Sequence, residues 1–197
     1  MTISLALFVF SIVVPFLIGI GFGLAGIENV PDMLNLVLQV MRTGAYVAVA
    51  TTFIAFLRIS FRNLTPLKVK GKKNKEWYAY GGFIVPIASF VIPCSMVDEI
   101  WRGSDPSNLD STKWKECKHS MLIYSWWGFW LVHGIARLSS IFFKKSEIES
   151  ITNSFLVLLF ADISLVISSL LLIKIVTKIS KRQNEKYSLI SDSNNKA

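Results

Sequence analysis

The sequence predicts an all-α integral membrane protein, and three observations carry that reading. Of 197 residues, 52% are apolar and 17% charged, against about 25% charged in ordinary soluble domains. Residues 1–27 and 77–97 contain no Asp, Glu, Lys or Arg. Uncharged apolar runs of about 18 or more read as membrane-embedded, because a helix needs roughly 20 residues to cross the hydrocarbon. The mean hydropathy of +0.50 agrees. Together these exclude most soluble enzyme architectures and nucleic-acid modules. The net charge of +8 does not reopen the nucleic-acid class, since Lys and Arg beside membrane segments are commonly topology signals.

Five apolar segments follow in order. The first, Ile3–Ile27, lacks a basic leader and exceeds a signal-peptide core of about 7–15 residues, so it is expected to remain as a helix. Its Gly21-Phe22-Gly23-Leu24-Ala25-Gly26 matches G-x-G-x-x-G by letters, but a dinucleotide site needs a strand before it and a helix after it. Gly19 and Gly23 are better read as a close helix-packing pair. The second segment is Leu34–Leu57. The third, Tyr80–Val97, holds Gly81, Gly82, Pro86 and Pro93. Each proline removes a backbone donor, so a broken, re-entrant or interfacial helix is expected rather than a crossing. Ser120–Phe143 and Ile151–Ile175 complete the set. Residues 1–182 form the membrane domain on this reading, and 183–197 a polar disordered tail.

Charge distribution chooses the topology. Seven basic residues lie in 58–76, four in 98–119, three in Arg137, Lys144 and Lys145, and six from Lys174 onward. If the third segment crosses, the two sides carry ten each. If it dips and returns, they carry seventeen and three. Cytoplasmic loops carry the Lys/Arg excess. Four crossings with both termini in the cytoplasm and 58–119 mostly cytoplasmic are therefore expected.

Charges inside the apolar segments are the sharpest candidates. Arg42 lies in the second segment, His133 and Arg137 in the fourth and Asp162 in the fifth. Such residues normally face the bundle and pair. A rise of about 1.5 Å per residue puts Arg42 and Asp162 roughly 12 and 17 Å from their outer ends, so an Arg42–Asp162 pair joined by His133 is geometrically open. It would serve either as a register-fixing structural pair or as an ion or proton path or an acidic-ligand pocket, and the structural pair is preferred.

Other signals are weaker. Cys94, Cys117, His119 and His133 match no metal-ligand spacing, and no cofactor is expected. No Walker loop, H-E-x-x-H or G-x-S-x-G occurs, which removes the familiar nucleotide and hydrolase routes. Asn63-Leu64-Thr65 is a formal glycosylation sequon in a loop expected to be cytoplasmic. Lys68–Lys75 suits anionic lipid headgroups, at about 1 kcal/mol per basic residue, or a solvated loop. Trp77, Tyr78, Tyr80, Trp101 and Trp114 sit where headgroup-level aromatics sit. Trp126, Trp127 and Trp130 read as packing.

The stretch Gly82-Phe83-Ile84-Val85-Pro86, then Pro93, then Glu99-Ile100-Trp101-Arg102-Gly103-Ser104-Asp105-Pro106 is distinctive. With Trp126-Trp127 and the basic exit Lys178–Gln183, it resembles an uncharacterised family of bacterial multi-pass membrane proteins, the domain of unknown function numbered 4328. Ser89-Phe90 stands where that family usually has Asn-Leu, and Phe56 with Arg58 where Trp and Arg are common. The resemblance, over roughly residues 40–183, implies the architecture and a bacterial inner-membrane setting, but no reaction. From the residues alone, Asp98 or Glu99 pairs with Arg102 at helical spacing, and Ser104-Asp105-Pro106 stops the helix.

The function expected is non-enzymatic binding of a protein partner, a second copy or lipid through 58–119. The alternative is a small transporter or channel subunit using Arg42, Asp162 and the broken helix 80–97. A lipid-directed enzyme using Asp98, Glu99 and Asp105 ranks third.

Overall fold

A computed structural model describes residues 32–84, 89–143 and 149–195. Among the described residues the chain is helical and no strand forms. Its helices are α1 (Asp32–Arg62), α2 (Tyr78–Ile84), α3 (Ile92–Gly103), α4 (Met121–Phe143) and α5 (Glu149–Asn195), with a 3-10 turn at Lys113–Glu116. The chain divides into two compact units, Met1–Phe53 and Ile54–Ala197. In the first, the described large side chains Met33, Leu36, Val37, Val40, Met41 and Val47 are exposed. The predicted first span and its glycine motif lie outside the described residues.

Among the described residues two helices are long and apolar enough to cross a membrane, Gln39–Arg62 and Leu156–Asn195, where the sequence predicted four crossings, the first of them outside those residues. The fourth segment does form α4, 23 residues long, but Trp126, Trp127, Trp130, His133 and Arg137 dilute its apolar character. Segment 80–97 is divided between α2 and α3. Their 7 and 12 residues span about 10 and 18 Å at 1.5 Å per residue, each short of a bilayer. Pro86 lies outside the described residues. Pro93 sits in the first turn of α3, where its missing N–H has no partner to lose.

In the second unit, α4 and α5 form an antiparallel hairpin. Ser168 donates to the Trp126 carbonyl at 3.1 Å near one end, while the His133 ring nitrogen meets the Ala161 carbonyl at 3.0 Å near the other. Beside it a smaller core gathers Leu57, Phe61, Leu64, Val69, Met96, Ile100, Trp114 and Ile179, all buried. Each such side chain contributes about 1.5–3 kcal/mol of transfer free energy.

One sequence reading is corrected here and another is refined. The stretch 183–195 is not a disordered tail but the end of α5. Gln183, Lys186 and Ile190 are buried, and their i, i+3, i+7 spacing places them on one face. Lys68–Lys75 belongs to a connection whose backbone is packed while Lys68, Lys70, Lys73 and Lys75 stay exposed, as a solvated loop would have them. Leu67, Val69 and Asn74 are buried, and Lys70 N–H donates to the Ser111 carbonyl at 2.9 Å. Gly71 supplies the left-handed turn this path needs, at φ 68°.

Candidate functional site

The site grows from one face of α3. Cys94, Ser95, Asp98, Glu99 and Arg102 recur at three- and four-residue steps and so share that face. Glu99 is 2% exposed and binds the 58–76 connection. Its Oε1 accepts the Lys73 backbone N–H at 2.6 Å, and its Oε2 accepts the Asn74 backbone N–H at 2.8 Å. The Asn74 side-chain amide adds a third bond, 2.5 Å to Oε2. A buried carboxylate is tolerable only when donors meet its lone pairs, and here neutral donors do so.

Asp98 holds a second network. Arg102 Nε donates to Oδ2 at 2.9 Å, the i,i+4 pair the sequence spacing predicted. His119 Nδ1 stands 3.0 and 2.9 Å from the two Asp98 oxygens and 3.1 Å from the Tyr124 hydroxyl. The Asp98 carboxylate favours a proton on Nδ1, which it can accept as a hydrogen bond. Arg102 also donates to the Lys115 carbonyl at 3.2 Å and lies 5.4 Å from the Trp114 ring centre. Trp114 is fixed by its indole N–H, which donates to the Lys70 carbonyl at 2.7 Å.

These groups line a cavity of about 810 Å³, walled further by Phe90, Val91, Cys94, Ser95, Lys73, Lys115 and Trp127. Trp127 is held by an indole N–H bond of 2.9 Å to the Phe90 carbonyl and stacks on Trp130 at 4.6 Å. Burial, with Asp98 nearby, pushes the Cys94 thiol up to about 11, so it is a protonated wall group rather than a nucleophile.

Behind this face the rest of the motif locks α3 to α5. The Ser104 hydroxyl lies 3.1 Å from Gln183 Nε2, which also donates to the Ser60 carbonyl at 2.9 Å. Asn63 donates to Gln183 Oε1 at 3.0 Å. Lys186 donates to the Gly103 carbonyl at 2.9 Å. Asp105 pairs with Arg182, whose guanidinium lies 4.5 Å from the Trp101 ring centre; Trp101 thus packs on Arg182, where the sequence suggested a headgroup anchor. Arg182 Nε is buried without a hydrogen-bond partner among the described residues. Burial alone would raise the Asp105 pKa, but the Ser107 hydroxyl and backbone N–H, with Arg182, hold it below 3.8. Pro106 then keeps the chain from continuing as helix.

Of the predicted charged residues, Asp162 pairs with Arg137 within the α4–α5 hairpin, and His133 meets the Ala161 carbonyl. The Arg42 side chain lies outside those described. Glu99, Arg102 and Trp127 line the cavity. Trp126 is buried, while Trp101, Ser104, Asp105 and Pro106 stand behind the α3 face. Sequence reasoning missed the Asp98–His119–Tyr124 contact, whose partners are 21 residues apart. Among the described residues no cluster of three His, Cys, Asp or Glu suits a metal ion.

No curated protein and no solved structure matches the chain. A family model does, over residues 25–181, and it takes in α3, the cavity-lining face, α4 and α5 as far as Lys181. The chain belongs to the family described as Domain of unknown function (DUF4328).

Proposed function

We propose that the chain is a multi-pass bacterial inner-membrane protein with four crossings, both termini cytoplasmic and segment 80–97 re-entrant. On this reading the folded region 58–119 binds a lipid or protein partner without turnover. The observation that carries it is the 810 Å³ cavity in the stretch the charge distribution assigns to the cytoplasm. Its volume suits a ligand site of about 300–1,000 Å³. The occupied lone pairs of Asp98 and Glu99 favour a binding wall over proton-transfer chemistry. The Arg137–Asp162 pair favours register fixing over the transport alternative.

A cavity-filling variant tests this. Native mass spectrometry of the full chain, extracted in mild detergent, is expected to show a retained lipid or partner that Ser95→Trp loses. Equal retention by both proteins would sink the proposal.

A further inference from the structure

We infer that the cavity binds an anionic amphiphile: a phospholipid whose phosphate sits among Lys73, Arg102 and Lys115 and whose acyl chain starts along Phe90 and Val91. The inference rests on the binding role proposed above and names the ligand class for that same cavity.

Charge complementarity selects the head. Both carboxylates in the wall are consumed internally, Glu99 by three N–H donors and Asp98 by Arg102 and His119. What remains toward the cavity is donor capacity. Lys73 and Lys115 make no ion pair among the described residues, and Arg102 spends Nε and Nη1 on internal acceptors, leaving Nη2. A cationic headgroup fits worse despite the aromatic walls. Trp114 already has two resident cations, Arg102 at 5.4 Å and Lys115 at 5.8 Å from its centre, which would repel a third.

The other edge selects the tail. Phe90 and Val91 are 50% and 63% exposed and belong to the uncharged segment 77–97. The indole N–H of Trp127 is tied to the Phe90 carbonyl, so its ring contributes apolar surface. Phe90 and Val91 immediately precede α3 and Arg102 lies in its last turn, about 15 Å along the helix; a cation at one end and apolar side chains at the other match a phospholipid, for which each nearby basic residue adds about 1 kcal/mol.

The test titrates the full chain, in neutral detergent, with dihexanoyl phosphatidylglycerol, dihexanoyl phosphatidylcholine and glycerol 3-phosphate, reading tryptophan fluorescence. Saturable phosphatidylglycerol binding is expected, weakened roughly tenfold or more by Lys73→Gln with Lys115→Gln. Lys70→Gln with Lys75→Gln, exposed positions of the same connection that do not line the cavity, should leave it unchanged. Phosphatidylcholine and glycerol 3-phosphate should each bind roughly tenfold or more weakly than phosphatidylglycerol. Equal phosphatidylcholine affinity would overturn the anionic head, and equal glycerol 3-phosphate affinity would overturn the lipid tail in favour of a soluble phosphate. An equal loss in the Lys70/Lys75 control would reduce the effect to diffuse charge and overturn the site. Loss of all lipid binding in Ser95→Trp, with no effect of the lysine variants, would remove the ligand class while leaving the binding proposal standing.

Discussion

Glu99 holds Asn74 twice, one oxygen accepting both its backbone N–H at 2.8 Å and its side-chain amide at 2.5 Å. With the Lys73 bond at 2.6 Å, one carboxylate sets the path of the connection that forms a cavity wall. Hydrogen bonds to a charged acceptor contribute about 1.5–3 kcal/mol each, and orphaned buried donors add a penalty. Glu99→Ala is therefore expected to destabilise the unit by about 3 kcal/mol or more. Hydrogen exchange should show faster exchange at Lys73 and Asn74. Unchanged protection there would contradict the clamp.

Gly103 lets α3 meet the 58–76 connection closely. A Cβ at that position would lie 2.9 Å from Leu64 Cδ2 and 3.5 Å from Val69 Cγ1, and Leu64 is fully buried. Gly103→Ala should cost about 1–3 kcal/mol by overpacking, read as a lowered Tm. Adding Leu64→Ala should give less than the summed loss, because the two share the contact. Strict additivity would place the strain elsewhere.

Asp105 predicts a specific acid response. Its folded-state pKa lies below the ordinary 3.8, so the folded protein binds fewer protons there than the unfolded chain. Its contribution is complete above about 3.8 and is lost as pH falls through the lower folded value. Asp105→Asn should lower Tm at neutral pH and narrow its gap from the parent protein below pH 3.8. A gap that stays constant with pH would exclude this linkage.

The hairpin pair separates a structural role from transport. Arg137→Gln or Asp162→Asn should each destabilise the protein by about 1–3 kcal/mol, since removing one partner of this part-buried pair leaves the other charge uncompensated. The double variant should recover part of the loss. Normal abundance with lost ion flux in Asp162→Asn liposomes would support the transporter reading instead.

Cys117 reports topology. It is half-buried, whereas Cys94 is buried and its thiol pushed up to about 11. At pH 7 the Cys94 thiol stays protonated, which makes it a poor competitor. A membrane-impermeant maleimide should label Cys117 only after permeabilisation, in Cys94→Ser as in the parent chain. Labelling in intact cells would mean that segment 80–97 crosses.

Much of the α3 motif was legible because its interactions are local. The Asp98–Arg102 pair follows from helical spacing, and Asp105-Pro106 announces a helix end. Glu99 was not, because its acceptor role depends on backbone donors 25 and 26 residues upstream. His119 entered the sequence reading only as a metal ligand at the wrong spacing, because its Asp98 partner lies 21 residues away. The 183–195 stretch misled through composition. Its polar residues dominate the count, while Gln183, Lys186 and Ile190 mark one buried face that only their spacing could have disclosed. Gln183 and Lys186 are buried there because acceptors on α1 and α3 meet them.

Helix α5 runs 47 residues from Glu149 to Asn195 and contains neither proline nor glycine. At 1.5 Å per residue it is about 70 Å long, more than twice a hydrocarbon thickness of about 30 Å. Proline and glycine, two usual contributors to a sharp kink, are absent from its sequence, and Ser169 returns its hydroxyl to the Leu165 carbonyl at 2.8 Å within the helix. Torque applied near Asp162 thus reaches Gln183 and Lys186 through one stiff shaft. The contacts these residues make with Ser60, Ser104 and Gly103 engage that shaft like gear teeth, so a twist of the helix near Asp162 would be felt at the base of α3.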